Sequence, residues 1–129
     1  MSQFARASAV IALTPSADQR EKKGYLVAIA SDTATIISSS TTTVAAKGVI
    51  LDGENTDGKS SVAILGCTPP VKMKAGGSIT KGDYVSQNTD GSVITDPGTG
   101  SRVTVGIALE DAVSGELFEV APLVPIAKP

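Results

Sequence analysis

The stretch DGENTDG, residues 52–58, gathers three carboxylates and an asparagine within seven residues, a concentration of hard oxygen ligands suited to calcium. Placing Gly58 at the invariant glycine of a calcium loop puts Asn55 and Asp57 at ligand positions. It also puts Gly53 first and Ile64 last, where such a loop needs acids, so the stretch is expected to be a solvated hairpin turn. Asp52 and Glu110, with Asp111 and Glu116 nearby, could supply a pair of working carboxylates. Both lie where strands are expected to end, and charged residues ordinarily mark such ends. DPGTGSR (96–102) is glycine-rich like a phosphate loop but lacks the GK[ST] ending and a following helix, so it too reads as a turn.

In VKMKAGG (71–77), Met73 sits between Lys72 and Lys74, the reverse of the Met-Lys-Met order that a biotin carrier displays. Lys81-Gly82-Asp83 has the letters of an adhesion tripeptide, yet reads best as a glycine turn feeding a strand. The chain has no histidine and one cysteine, Cys67. This excludes Ser-His-Asp and Cys-His nucleophiles, His-based zinc sites, thiolate clusters and an internal disulfide. No catalytic, cofactor or metal site is expected, and Cys67 is expected to be a small buried residue.

The elements that would position such residues are short strands. Four aromatics (Phe4, Tyr25, Tyr84 and Phe118) leave the core to Val, Ile, Leu and Ala, a composition that leans on neighbouring subunits for stability. The net charge is −2 and the eleven basic residues are scattered, so no stripe for nucleic acid is present. The apolar run Ala7–Leu13 is too short for a signal peptide or a membrane span, and a soluble protein made in the cytoplasm is expected.

Shifting the sequence by 58 positions aligns it with itself. Lys23 and Gly24 land on Lys81 and Gly82, Gly48 on Gly106, Leu51 on Leu109, and Val62, Ala63 and Leu65 on Val120, Ala121 and Leu123. Over the 43 pairs from residues 23 to 65 there are 11 identities and no gap. Strands are expected at 25–30, 35–38, 48–51 and 61–65 in the first copy. The second should have them at 84–85, 93–94, 103–109 and 117–121, with period-2 alternation clearest from Val103 to Leu109. Turns belong at SDT, DGENTDG, TDGS and DPGTGS.

The expected fold is therefore mostly β: an internally duplicated antiparallel barrel or sandwich of short strands. Its parts are an N-terminal arm (1–13), a first repeat (14–66), a second repeat (67–123) and a tail (124–129). Residues 14–23 read as a loop with at most one helical turn. The prolines of PLVPIAKP (122–129) keep it out of a central strand, so it should lie extended along a surface.

Residues 75–123 carry an Ala-Gly turn, the K-G-D-x-V strand KGDYV, the D-G-x-V hairpin DGSV, the strand and turn VGIALEDA, and an acidic-apolar closing strand. In this they resemble the core of a family of small tailed-phage proteins that decorate the capsid. That resemblance implies a cement protein on the outer capsid surface of the virion, with the major capsid protein as partner and a homotrimer as its form, and with no nucleic-acid or membrane partner. The family usually has one copy of this core, so the duplication implies two β modules per subunit. An arm over 1–13 could order on a shell by strand addition, with Phe4, Val10, Ile11 and Leu13 as the capsid-contact candidates. Deleting residues 2–13 should then weaken binding and spare the fold. A β-structured spike, fibre or tail component of a phage particle is the alternative.

Overall fold

Alternating apolar residues in the first copy build five strands: β1 (Val10–Pro15), β2 (Leu26–Ala30), β3 (Thr33–Ile36), β4 (Gly48–Asp52) and β5 (Ser60–Ile64). They close into a barrel in the order β1-β3-β2-β4-β5, where β1 pairs parallel with β3 and antiparallel with β5. The second copy supplies β6 (Val71–Lys74), β7 (Tyr84–Gln87), β8 (Val93–Thr95), β9 (Arg102–Ala108) and β10 (Leu117–Lys128). These form one open, curled sheet in the order β6-β10-β9-β7-β8. This is a computed structural model and describes residues 10–41, 44–54, 58–66 and 69–128. No helix occurs among the described residues, including 14–23, and so none is long and apolar enough to cross a membrane.

The two modules share one topology. Matching β6 to β1, β7 to β2 and so on turns the second sheet's order into the cyclic order of the barrel. Two ladders repeat in register. Leu26↔Val49 and Val27↔Gly48 recur as Tyr84↔Ile107 and Val85↔Gly106. Val49↔Ala63 and Ile50↔Val62 recur as Ile107↔Ala121 and Ala108↔Val120.

The repeated glycine has a steric cause. A Cβ on Gly48 would lie 2.5 Å from Val62 Cγ1 and 2.9 Å from the Ala63 carbonyl oxygen, and the equivalent atoms of Val120 and Ala121 block Gly106. Where the barrel closes through β1 and β3, the second sheet has only a parallel bridge, Ala75↔Val93. The Gly76 N–H donates to the Val93 carbonyl at 2.7 Å beside it.

Three local readings change. Residues 10–13, expected in the arm, are barrel strand, and β6 was not foreseen at all. The alternation from Val103 to Leu109 breaks where Val85 pairs with Gly106 but Ser86 with Thr104. One extra residue there moves later side chains to the other face, so Val103, Val105 and Ala108 are buried while Leu109 is 38% exposed. The tail continues β10. Residues 117–120 pair with β6, pairing with β9 begins at Val120, and from Ala121 onward β10 pairs with β9 alone. The Leu109 N–H donates to the Glu119 carbonyl, so odd-numbered residues of this stretch face β9 and Pro122 turns its donor-less nitrogen to the vacated side. Pro125 falls in the irregular stretch between Pro122 and Ile126.

Leu13, Val27, Ala34, Ile50 and Val62 fill the barrel. A larger cluster is continuous across the modules, joining Leu26, Val49, Ala63 and Leu65 to Met73, Val85, Val103, Phe118 and Val120. Two buried glutamines hold the assembly. Within the barrel, Gln19 donates through Nε2 to the Ala34 carbonyl (2.9 Å) and accepts from Ser60 Oγ (2.9 Å). Between the modules, Gln87 of β7 accepts from the Ala46 N–H (2.9 Å) and donates to the carbonyls of Ser39 and Val44 (2.7 Å each).

Candidate functional site

The carboxylates singled out for chemistry are engaged in turns. Asp52 ends β4 at a bulge opposite Ser61. Glu110 accepts the Glu119 N–H at 2.8 Å and pairs with Lys72 at 3.4 Å. The amide first, and the ammonium after it, hold its carboxyl below the usual range. Asp111 accepts the Lys81 N–H (2.8 Å) and Glu116 the Val113 N–H (2.9 Å). No two of these are bonded to each other, and no group of three or more His, Cys, Asp or Glu side chains among the described residues could hold a metal. Asn55, Asp57 and Cys67 lie outside the described residues.

DPGTGSR is closed around its own acid. Asp96 accepts from Arg102 Nε, Ser86 Oγ (3.2 Å) and the Gly98 N–H (3.3 Å), with Asp96 and Arg102 each 12% exposed. Partial burial alone would raise this carboxyl. The Gly98 amide, the guanidinium and the hydroxyl outweigh it and hold the group below the ordinary carboxylate range. A phosphate would meet this carboxylate. In the KGD turn, the Asp83 carboxylate accepts from the Thr80 N–H (3.2 Å) and Thr95 Oγ1 (3.3 Å), a structural role. Met73 is fully buried on β6, so VKMK is a core strand and not a displayed hairpin.

Of the shell-contact candidates, Phe4 lies outside the described residues. Leu13 is 4% exposed inside the barrel and Ile11 packs against the same cluster. Both are held there because residues 10–13 pair with 60–63 of β5. Val10 instead lines a cleft of about 340 Å³ at the seam between modules, with Ile50, Leu51, Ala63, Pro70 and Val71. Deleting residues 2–13 would therefore remove most of a barrel strand along with any arm.

Among the described residues, exposed apolar side chains include some on the outer face of the second sheet. Tyr84 (53% exposed) stands opposite Ile107 on β9, which stands opposite Ala121 on β10. Leu109 lies on the same face, and Leu123 is half-buried beyond Ala121. Sequence reading placed Tyr84, Ile107, Leu109 and Ala121 on strands, and Leu123 in the extended stretch 122–129, but not on a shared surface. The signal that could have found them is the repeat itself, which aligns them with Leu26, Val49, Ala63, Leu51 and Leu65.

No family model matches the sequence, and no curated protein matches it. The fold is similar to the crystal structure of the N base of head fiber gp8.5 in bacteriophage phi29, with a TM-score of 0.62 at 19% identity. The match covers 88% of this chain and 92% of that one, so both modules take part. At that identity the likeness is one of fold.

Proposed function

We propose that this chain is a structural protein of a bacteriophage virion that seats on the outer surface of the head and cements the expanded shell. The observation that carries this reading is the fold's similarity to a phage head-fiber base over nearly the whole of both chains. The turn-and-strand resemblance of residues 75–123 to capsid decoration proteins points the same way. The engaged carboxylates and the missing histidine support a non-enzymatic role. The partner is the major capsid protein and the working form a homotrimer. Many copies, each touching several capsid subunits, would resist internal pressure by summing individually weak contacts. A second reading, in which the chain is the base of a head fiber, is favoured by the description of the similar structure.

Co-sedimentation with heads stripped of this protein tests the proposal. Compact and expanded shells are assayed separately and bound copies counted. Saturable binding near one copy per capsid subunit, on expanded shells only, supports the cement. Binding at a few sites per head favours the fiber base. Absence of binding to either shell refutes both.

A further inference from the structure

The cleft at the seam between the modules holds about 340 Å³ and is lined by Val10, the first residue of β1. The barrel contributes Leu51 and Ala63 to its lining, and the second module contributes Val71. Three charged residues also line it: Lys23, Lys72 and Glu119. Lys72 is paired with Glu110 at 3.4 Å, whereas neither Lys23 nor Glu119 forms an ion pair among the described residues. Lys23 is exposed and can turn its ammonium to water, but Glu119 is half-buried. A mostly apolar cleft of this size with a few polar groups suits a bulky apolar group that carries a charge beside it.

Nine residues, MSQFARASA, precede Val10 in the sequence. They include one aromatic, Phe4, and one charged side chain, Arg6, with no acid among them. Phe4 and Arg6 are two positions apart, so an extended chain turns both to the same side. Phe4 comes six residues before Val10. At ~3.3–3.6 Å per residue that tether spans up to about 20 Å, ample for folding back into a cleft whose wall includes Val10 itself. So short a tether holds Phe4 near the cleft at millimolar effective concentration, so a weak site is enough to keep it occupied. Charge selects the same occupant, because Arg6 supplies the cation that Glu119 lacks.

We propose that the seam cleft seats residues 1–9 of this same chain, with Phe4 against its apolar lining and Arg6 on Glu119. The segment is thereby stowed on its own body rather than held out toward a partner. This goes beyond the virion role and does not depend on shell binding. The chain has no tryptophan, so Phe4→Trp introduces a single fluorescent reporter. Tyr84→Trp, at a position 53% exposed, gives the reference for a wet ring on the folded protein. The reporter at position 4 should emit to the blue of that reference, and acrylamide should quench it several-fold less. Adding Leu51→Asp, which puts a charge in the cleft, or Glu119→Lys, which repels Arg6, should shift emission to the red and restore quenching. Circular dichroism and thermal unfolding establish which variants fold. A reporter at position 4 as accessible as the reference overturns the proposal, as does protection undiminished in the folded cleft variants. Protection that appears only as protein concentration rises would overturn it too, by placing the segment on another copy.

Discussion

Replacing Gln87 by leucine should loosen the junction between the modules. The side chain is 1% exposed and makes three hydrogen bonds, all to backbone of the first module. Leucine fills similar space but leaves the Ala46 N–H, at a fully buried residue, without a partner, which costs about 1–3 kcal/mol. Val44 is 43% exposed and Ser39 half-buried, so their carbonyls can recover water, and together they add about 1 kcal/mol. The expected loss is about 2–4 kcal/mol, a large share of the ~5–15 kcal/mol typical of a folded domain. At about 4 °C per kcal/mol this lowers Tm by ~8–16 °C in a thermal melt followed by circular dichroism. Gln87→Glu sharpens the test. Its carboxylate keeps the acceptor for Ala46 but faces two carbonyls with no donor, so burial raises its folded pKa above the unfolded value of about 4.3. Protonation restores a donor, so stability is present at low pH and lost as pH rises through the raised folded pKa. A Gln87→Leu protein within about 0.5 kcal/mol of wild type, or a Glu variant with no such pH dependence, would refute the reasoning.

Asp96→Asn should cost about 1–2 kcal/mol at neutral pH, measured by urea unfolding, through loss of the charge-assisted bond to Arg102. Because the native carboxyl titrates below its ordinary 3.8, its contribution is present above that pH and lost as pH falls through the lowered value, so the two proteins should converge in acid. The repeated glycines Gly24 and Gly82 share a positive φ, 85° and 95°, but a Cβ at Gly24 would meet Leu117 Cδ2 at 2.5 Å while one at Gly82 meets nothing within 4 Å. Gly82→Ala should cost only the ~1–2 kcal/mol of the left-handed backbone, and Gly24→Ala about 1–3 kcal/mol more, read from paired denaturant titrations. Deleting residues 2–13 should abolish the cooperative melt by removing Leu13 and most of β1.

What the sequence determined by itself was local and repetitive. Alternation and turn chemistry located β2, β3, β4, β5, β7, β8, β9 and β10, and the ungapped offset of 58 foretold two modules of one topology. These signals are carried by residues close in the chain, so they survive without knowledge of what packs where. β1 and β6 escaped because each is short and ambiguous alone; β1 is a strand only because β5 and β3 lie on either side of it. The placement of Leu13 was out of reach for the same reason: it looks exposed in an apolar arm and is buried once the barrel closes. Leu26 and Tyr84 occupy equivalent positions with equivalent neighbours, yet one is fully buried and the other is 53% exposed. Alternation states which side chains share a face, and only the packing of one module on the other decides which of those faces is left to meet a partner.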